Sequence, residues 1–234
     1  MAVSSDFARM RMFSMNPVVG VIEKFIDKRL CQSIRDDAAG LLQQSTVAHE
    51  QNPRMVDKEV RTGEVAYVPH GKNKVLDDAR RRLSTIFDID ADNCESAQVV
   101  CYGPTQQYKA HFDAFPFRAD HYPHNLRTQG QRYYTGLLYL TDDFTGGHTE
   151  FPKLGIKVAP KMGRMLFWSN VVIGGNSPHP QSLHAGTPVI KGEKWAVTFW
   201  FRKPPVPDPV QLMPAGADLK IEPKIQLIQK DPFA

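Results

Sequence analysis

Residues 182–202 read SLHAGTPVIKGEKWAVTFWFR and decide the fold of this chain. The two ends of this stretch predict strands at 182–185 and 194–202, separated by residues typical of turns. Because successive side chains of a strand alternate between its faces, one face of the second strand should carry Lys194, Ala196, Thr198 and Trp200. If that face is buried, Lys194 must be paired with an anion, since an unpaired buried charge costs on the order of several kcal/mol.

Segments of similar composition extend upstream to residue 96. They are rich in Val, Tyr, Phe, Trp and Thr, they alternate with turns, and they predict further strands at 96–102, 106–113, 131–140, 148–151, 156–159 and 164–169. Eight short strands with turn signals favour a β-sandwich or a jelly roll. Two long loops, 115–130 and 170–181, interrupt this pattern, and loops of that length in compact domains are often functional lids.

The part of the chain before residue 95 is predicted to mix strands and helices. A strand at 18–26 precedes a helix at 28–44 with Asp27 as its N-cap, and a strand at 63–68 precedes a helix at 75–88. The apolar faces of the two helices are expected to cover one sheet. They consist of Leu30, Ile34, Ala38 and Leu41 in the first helix and of Val75, Ala79, Leu83, Ile86 and Phe87 in the second.

These elements indicate a single domain over residues 1–234. It should have an N-terminal part of strands and helices over 18–90 and a jelly-roll core over 95–202. A polar loop is expected at 48–61, and a proline-punctuated tail begins with KPPVPDPV at the start of 203–234.

Composition narrows the class of protein. A net charge of +4 is weak evidence for a nucleic-acid partner, and no stretch approaches the roughly 18 apolar residues of a membrane span. Three cysteines without a C-x-x-C pair favour free thiols in a reducing compartment, and residues 1–20 lack the apolar run of a secretory signal. We therefore expect a soluble cytoplasmic protein with no nucleic-acid and no membrane partner.

A possible metal site lies in the segment QYKAHFDAF. His111 and Asp113 should point to the same side of one strand, while Phe112 should point into a core. His184, which is 71 residues after His111 in the sequence, would complete a set of two histidines and one carboxylate. Such a set occupies one face of a ferrous ion and leaves positions open for a co-substrate and O₂. Lys194 could then pair with a dicarboxylate, which indicates iron with 2-oxoglutarate.

A zinc hydrolase could use the same types of ligand, because zinc tolerates one aspartate with two histidines. The sequence has no H-E-x-x-H motif or similar partner of zinc. Iron is therefore the favoured metal, with a non-oxidative enzyme and a non-catalytic binding module as the alternatives.

Four stretches around these residues resemble the prolyl 4-hydroxylase family of Fe(II)/2-oxoglutarate dioxygenases. They are CYGPTQQYKAHFDAF (101–115), RYYTGLLYLTDDFTGGHTEFP (132–152), KMGRMLFWSN (161–170) and SLHAGTPVIKGEKWAVTFWFR (182–202), with RTGE (61–64) as a weaker match. The resemblance implies a double-stranded β-helix, which is a cupin-like jelly roll with N-terminal helices packed on one sheet. It also implies O₂ as oxidant, ascorbate as reductant and hydroxylation of an unactivated C–H bond.

The resemblance also implies roles for individual residues. The iron ligands would be His111, Asp113 and His184. The residues around 2-oxoglutarate would be Lys194, which binds its distal carboxylate, with Tyr139, Tyr102 and Thr198. The residues beside the substrate would be Arg132, Tyr108 and Trp200. The aromatic side chains among them could instead be simple core packing.

The prime substrate implied by the resemblance is a proline in a peptide or protein. A free amino acid or another small metabolite is the alternative, because small stand-alone relatives of this family include such enzymes.

Overall fold

A computed structural model describes residues 6–45, 48–49, 52–56, 60–116 and 124–203. Within them the helices are α1 (Lys28–Ala39), α2 (Lys74–Phe87) and α3 (His124–Gln129), with 3₁₀ turns at Ala91–Asn93 and Pro180–Ser182. The strands are β1 (Met10–Met15), β2 (Val18–Ile22), β3 (Gln43–Gln44), β4 (Ala48–His49), β5 (Asn52–Val56), β6 (Glu64–Val68), β7 (Ala97–Tyr102), β8 (Tyr108–His111), β9 (Arg132–Tyr139), β10 (Thr145–Gly146), β11 (Thr149–Phe151), β12 (Ile156–Val158), β13 (Met165–Ser169), β14 (His184–Gly186), β15 (Val189–Lys191) and β16 (Lys194–Arg202). The predicted tail lies outside the described residues from residue 204 onward.

Two antiparallel sheets form the body of the protein. The larger sheet has the strand order β1-β2-β13-β9-β16-β7-β6-β3, and the smaller has the order β12-β11-β14-β8. Two short ladders, β10 with β15 and β4 with β5, accompany them. Strands that are distant in sequence are neighbours in each sheet, which is the arrangement of a jelly roll. The predicted fold class is therefore confirmed.

The outer face of the larger sheet is covered by α1 and α2. Asp27 caps α1 by accepting a hydrogen bond from the Leu30 amide at 2.9 Å, as the sequence predicts. Ile34 of α1 and Leu83 of α2 are fully buried in one cluster with sheet residues such as Phe199. This apolar layer fixes the larger sheet from behind and leaves its other face for a second core.

The second core lies on the inner face of the larger sheet, toward the smaller one. Tyr139, Phe151 and Trp168 are its largest buried side chains. Strand β16 divides its residues between the two layers as its alternation predicts. Its helix-facing residues are Trp195, Val197, Phe199 and Phe201, and its inward-facing residues are Lys194, Ala196, Thr198 and Trp200.

Two predicted element ends are wrong. Strand β2 ends at Ile22 rather than at residue 26. Helix α1 ends at Ala39 rather than at residue 44, because Gly40 ends it and Leu41 is 57% exposed. The polar segment predicted as a loop at 48–61 contains the hairpin of β4 and β5. The segment is mainly polar in sequence and shows no alternation, so it gave no strand signal.

The loop predicted at 115–130 ends in α3, and its residues 117–123 lie outside the described part of the chain. The prediction that Phe112 points into a core is also wrong, since its side chain is 42% exposed. It follows the end of β8, which is the edge strand of the smaller sheet. The helices cover the larger sheet only, so the side of β8 away from the second core faces solvent. None of the described helices combines the length and the apolar character that crossing a membrane requires.

Candidate metal centre and co-substrate pocket

Antiparallel pairing of β8 with β14 places His111 directly opposite His184. The two imidazole ring centroids are 4.3 Å apart. Asp113 lies two residues beyond His111, just after the end of β8, and its buried carboxylate reaches both rings. The structure thus brings together the three residues that the sequence predicted as ligands.

The donor atoms are spaced almost as a single ion requires. His111 Nε2 is 3.6 Å from Asp113 Oδ1, and His184 Nε2 is 3.7 Å from Asp113 Oδ2. All three donors lie within 4.8 Å of one another. Two ligands that both lie about 2.0–2.2 Å from one ion are at most about 4.4 Å apart, so the group is close to the size that a bound cation requires. Two nitrogens and one oxygen in a partly open pocket suit ferrous iron.

Both histidines are held by their second ring nitrogen. His111 Nδ1 lies 2.8 Å from the Lys109 carbonyl, and His184 Nδ1 lies 2.9 Å from the Ser182 carbonyl. A carbonyl only accepts, so each Nδ1 carries the proton and each Nε2 presents its lone pair to the centre. Burial, together with the neighbouring His111, lowers the pKa of His184 to about 4. The His184 imidazole is therefore neutral near pH 7, which is the form that binds metals.

Asp113 is ionised in this setting. Burial alone would raise the pKa of its carboxyl. At the acidic pH where this carboxyl would titrate, the charge of protonated His184, together with that of Arg132, holds its pKa well below the usual range. The Thr135 hydroxyl donates to Asp113 Oδ2 at 2.6 Å. The carboxylate thus has one fixed neutral donor and faces the centre with its remaining lone pairs.

Lys194 enters the same pocket from β16. It is buried, and its Nζ lies 5.9 Å from the ring centroid of Tyr102 and 5.7 Å from that of Tyr139. In the described part of the chain, Nζ makes no ion pair and no hydrogen bond. Burial lowers the pKa of Lys194 to about 8. An ammonium in this state is suited to an anionic ligand, because the ligand would supply the missing counter-charge.

Two glycines, Gly147 and Gly186, lie beside the Lys194 side chain. A Cβ on Gly147 would lie 3.1 Å from Lys194 Cδ, and one on Gly186 would lie 3.8 Å from Lys194 Nζ. Gly186 and Lys194 line a pocket of about 560 Å³ that opens to solvent and reaches His111, Asp113 and His184. The pocket has a cation at one point and a metal-binding set at another, which is what a chelating dicarboxylate such as 2-oxoglutarate would need.

The predicted co-substrate residues also lie here. Tyr102 and Thr198 line the pocket. The Tyr139 hydroxyl is fully buried and donates to Thr149 Oγ1 at 2.8 Å, so this tyrosine acts through Thr149, which lines the pocket. The Tyr102 hydroxyl accepts a hydrogen bond from Arg61 Nε at 3.1 Å.

The three predicted substrate residues are near the metal centre in different ways. Tyr108 stacks on His111 with ring centroids 3.5 Å apart and an interplanar angle of 17°. Trp200 lines the pocket. Arg132 lies behind Trp200, with its guanidinium carbon 3.9 Å from the centroid of the tryptophan ring.

Two residues of this region, the half-buried Glu95 and the buried Arg61, were given no individual role by the sequence reasoning. Glu95 binds Arg132 through both carboxylate oxygens, at 2.5 and 2.8 Å, and also accepts from Arg202 Nε at 2.7 Å. Arg61 lines the pocket and donates to Gln98 Oε1 at 2.7 Å. The RTGE segment was a usable signal for Arg61. Glu95 carried none, because its partners are 37 and 107 residues away.

Comparison with known families agrees with this geometry. Residues 97–202 match the family model described as the 2OG-Fe(II) oxygenase superfamily. Probable prolyl 4-hydroxylase 10 of Arabidopsis thaliana is 34% identical over 209 residues, which cover 81% of this chain and 70% of that protein. A putative prolyl 4-hydroxylase of Acanthamoeba polyphaga mimivirus is 34% identical over 183 residues, covering 78% of this chain and 73% of the viral protein.

Solved structures show the same similarity. The viral collagen prolyl hydroxylase of Paramecium Bursaria Chlorella virus-1, in its 2OG complex, superposes with a TM-score of 0.65 at 26% identity, over 80% of this chain and 96% of that one. A Pseudomonas putida prolyl-4-hydroxylase shares the fold with a TM-score of 0.54 at 18% identity, over 87% of this chain and 100% of that one.

Proposed function

Because this chain belongs to the prolyl 4-hydroxylase family of 2OG-Fe(II) oxygenases, we propose that it hydroxylates proline residues in peptides or proteins. The observation that carries the proposal is the convergence of His111, Asp113, His184 and Lys194 on one pocket. Relatives that are 34% identical to the chain are named as prolyl 4-hydroxylases, and this supports proline as the residue modified.

In this proposal His111, Asp113 and His184 bind ferrous iron. Lys194 binds the distal carboxylate of 2-oxoglutarate, with Tyr102, Tyr139 and Thr198 around the co-substrate. When bound, iron and 2-oxoglutarate would supply the chemistry of C–H hydroxylation. In the overall reaction 2-oxoglutarate is converted to succinate and CO₂, with one oxygen atom of O₂ entering succinate and the other entering the new hydroxyl group.

The protein contributes position and shielding to this reaction. The carbonyls of Lys109 and Ser182 keep both imidazoles in the tautomer that binds a metal. The apolar walls formed by Val100, Leu137 and Trp168 reduce the water around the centre.

The substrate residue is proposed to lie against Tyr108 and Trp200. Glu95 holds the Arg132 guanidinium by two hydrogen bonds, and Arg132 in turn packs over the Trp200 ring. A flat aromatic surface held in this way suits a compact, rigid ring such as proline.

A substrate panel tests the proposal. The protein with Fe(II), 2-oxoglutarate, O₂ and ascorbate is incubated with proline-rich peptides, the same peptides with alanine in place of proline, free proline and other free amino acids. We expect succinate release and a product 16 Da heavier only with the proline-containing peptides. Turnover with a free amino acid and none with the peptides would replace peptidyl proline by the small-metabolite alternative.

A further inference from the structure

Asn170 is a fully buried polar residue directly behind the metal centre. It follows the last residue of β13, and its Nδ2 donates to Thr135 Oγ1 at 2.8 Å. Thr135 in turn donates to Asp113 Oδ2 at 2.6 Å. A two-step chain of hydrogen bonds therefore runs from the Asn170 side chain to one metal ligand.

The direction of this chain is fixed by its chemistry. An ionised carboxylate only accepts, and the Thr135 hydroxyl has a single proton, which must therefore go to Asp113. Thr135 Oγ1 is then left to accept, so the Asn170 amide must present Nδ2 and not Oδ1. This orientation leaves Asn170 Oδ1 buried without a partner among the described residues.

The unpaired oxygen argues against a purely structural role. A buried acceptor without a donor is unfavourable, and an apolar side chain of similar size would avoid it. The presence of an amide at this position, in spite of the cost of its unpaired oxygen, is most simply explained by the hydrogen bond that it donates to Thr135.

The main chain of Asn170 leads to a second ligand. Its carbonyl accepts from the His179 amide at 2.8 Å, and the His179 carbonyl accepts from the Ser182 amide at 2.9 Å. The Ser182 carbonyl holds His184 Nδ1 at 2.9 Å. The turn that leads into β14 is thus anchored at Asn170 as well.

We propose that Asn170 is a positioning residue for two of the three metal ligands. Its side chain orients Asp113 through Thr135, and its main chain orients His184 through the turn at 179–182. This inference rests on the ligand set of the proposed function. It adds that the end of β13 couples one ligand to another, so that Asp113 and His184 are aligned by the same residue.

Metal affinity provides the test, because it is independent of the prime substrate. Fe(II) binding is measured on the full chain without O₂, by competition with a coloured chelator, for Asn170→Ala, Thr135→Val and the double variant. Loss of a group that orients a metal ligand typically weakens binding roughly 10- to 100-fold, and we expect each single variant to fall in that range. The double variant should bind Fe(II) with about the same affinity as the single variant that binds it less tightly. Both substitutions interrupt the same chain of hydrogen bonds, so their effects should not add.

Matched variants separate positioning from folding. Thr135→Ser keeps the hydroxyl and should bind Fe(II) as the wild type does. Ser169→Ala removes a neighbouring hydroxyl that accepts from the Val18 amide and should also leave the affinity unchanged. Asn170→Leu removes the unpaired oxygen and should keep or raise the thermal midpoint of unfolding while it weakens Fe(II) binding, so it replaces Asn170→Ala if that variant does not fold.

Two results would overturn the inference. One is wild-type Fe(II) affinity in the single variants, and the other is a fold loss of affinity in the double variant that equals the product of the two single losses. Absence of Fe(II) binding in the wild type would instead contradict the ligand set itself, and the inference would fall with it. The visible charge-transfer band of the Fe(II) and 2-oxoglutarate complex gives a second readout. Its maximum should shift in Asn170→Ala and stay in place in Ser169→Ala.

Discussion

At the scale of single residues, Lys194 is the most informative group in the pocket. It is a buried ammonium without a partner anion in the described part of the chain, and burial holds its pKa at about 8. A hydrogen bond to a charged group contributes about 1.5–3 kcal/mol. We therefore expect Lys194→Ala to raise the KM for 2-oxoglutarate roughly 10- to 100-fold, with a smaller change in kcat.

The matched control for Lys194 is Lys191, an exposed lysine on β15. Lys191→Ala should leave the KM for 2-oxoglutarate unchanged. An unchanged KM in Lys194→Ala would mean that another residue binds the distal carboxylate.

The lowered pKa of Lys194 also predicts a pH dependence. Below pH 8 the amine is protonated and attracts a carboxylate, and above pH 8 it becomes neutral while 2-oxoglutarate stays fully ionised. The dissociation constant of 2-oxoglutarate, measured without O₂ between pH 7 and pH 10, should therefore rise above about pH 8. In Lys194→Ala this rise should be absent, and a rise of equal size there would assign the pH dependence to a different group.

An H-x-D pair and an inward-facing lysine are patterns that a single strand can reveal, and they pointed to His111, Asp113 and Lys194. The choice of His184 depended in addition on the sequence around it and on the resemblance to a family. The Arg61, Glu95 and Asn170 contacts could not be predicted in this way. Each depends on which distant strand becomes a neighbour in the sheet.

At the scale of secondary-structure elements, capping of α1 has a measurable consequence. Asp27 accepts from the Leu30 amide, and loss of such a cap costs about 1 kcal/mol. Asp27→Ala should lower the free energy of unfolding in urea by about that amount without changing Fe(II) affinity. Asp36→Ala, at an exposed position of the same helix, should change stability by less than about 0.5 kcal/mol.

A failed prediction would also be informative for α1. A full loss of Fe(II) binding in Asp27→Ala would show that the helix layer and the metal centre are coupled more tightly than two separate cores imply.

The residue that precedes β6, Gly63, positions a pocket residue. A Cβ on Gly63 would lie 2.6 Å from the Cys101 carbonyl and from the ring of Tyr102. Gly63→Ala should therefore displace Tyr102 and weaken binding of 2-oxoglutarate. Gly40→Ala is the control, since a Cβ on Gly40 meets no atom within 4 Å, and equal affinity in both variants would contradict this role of Gly63.

The elements themselves were predicted unevenly. Apart from β1 and β3, the strands of the two sheets were found because buried strands alternate large apolar and β-branched residues. Strands β10 and β15 are only two and three residues long, too short to show a period. The exposure of Phe112 shows a related limit, because alternation indicates that a residue points away from its neighbours but not whether the far side is covered.

At the scale of the whole molecule, the two layers have different tasks. The helices and the outer face of the larger sheet form an apolar core that contains none of the proposed ligands. The inner face of the same sheet carries Lys194, Thr198 and Trp200 toward the smaller sheet, which supplies both histidines. The metal centre is therefore assembled between the sheets, and it depends on the register of β8 with β14.

The central claim is that this assembly binds Fe(II) and 2-oxoglutarate at one shared site. Titration of the protein with Fe(II) in the presence of 2-oxoglutarate, without O₂ and followed in the visible range, tests this claim most directly. We predict a charge-transfer band that saturates at one Fe(II) per chain and is lost in Asp113→Ala. Failure of the wild type to form the band, or an undiminished band in Asp113→Ala, would contradict it.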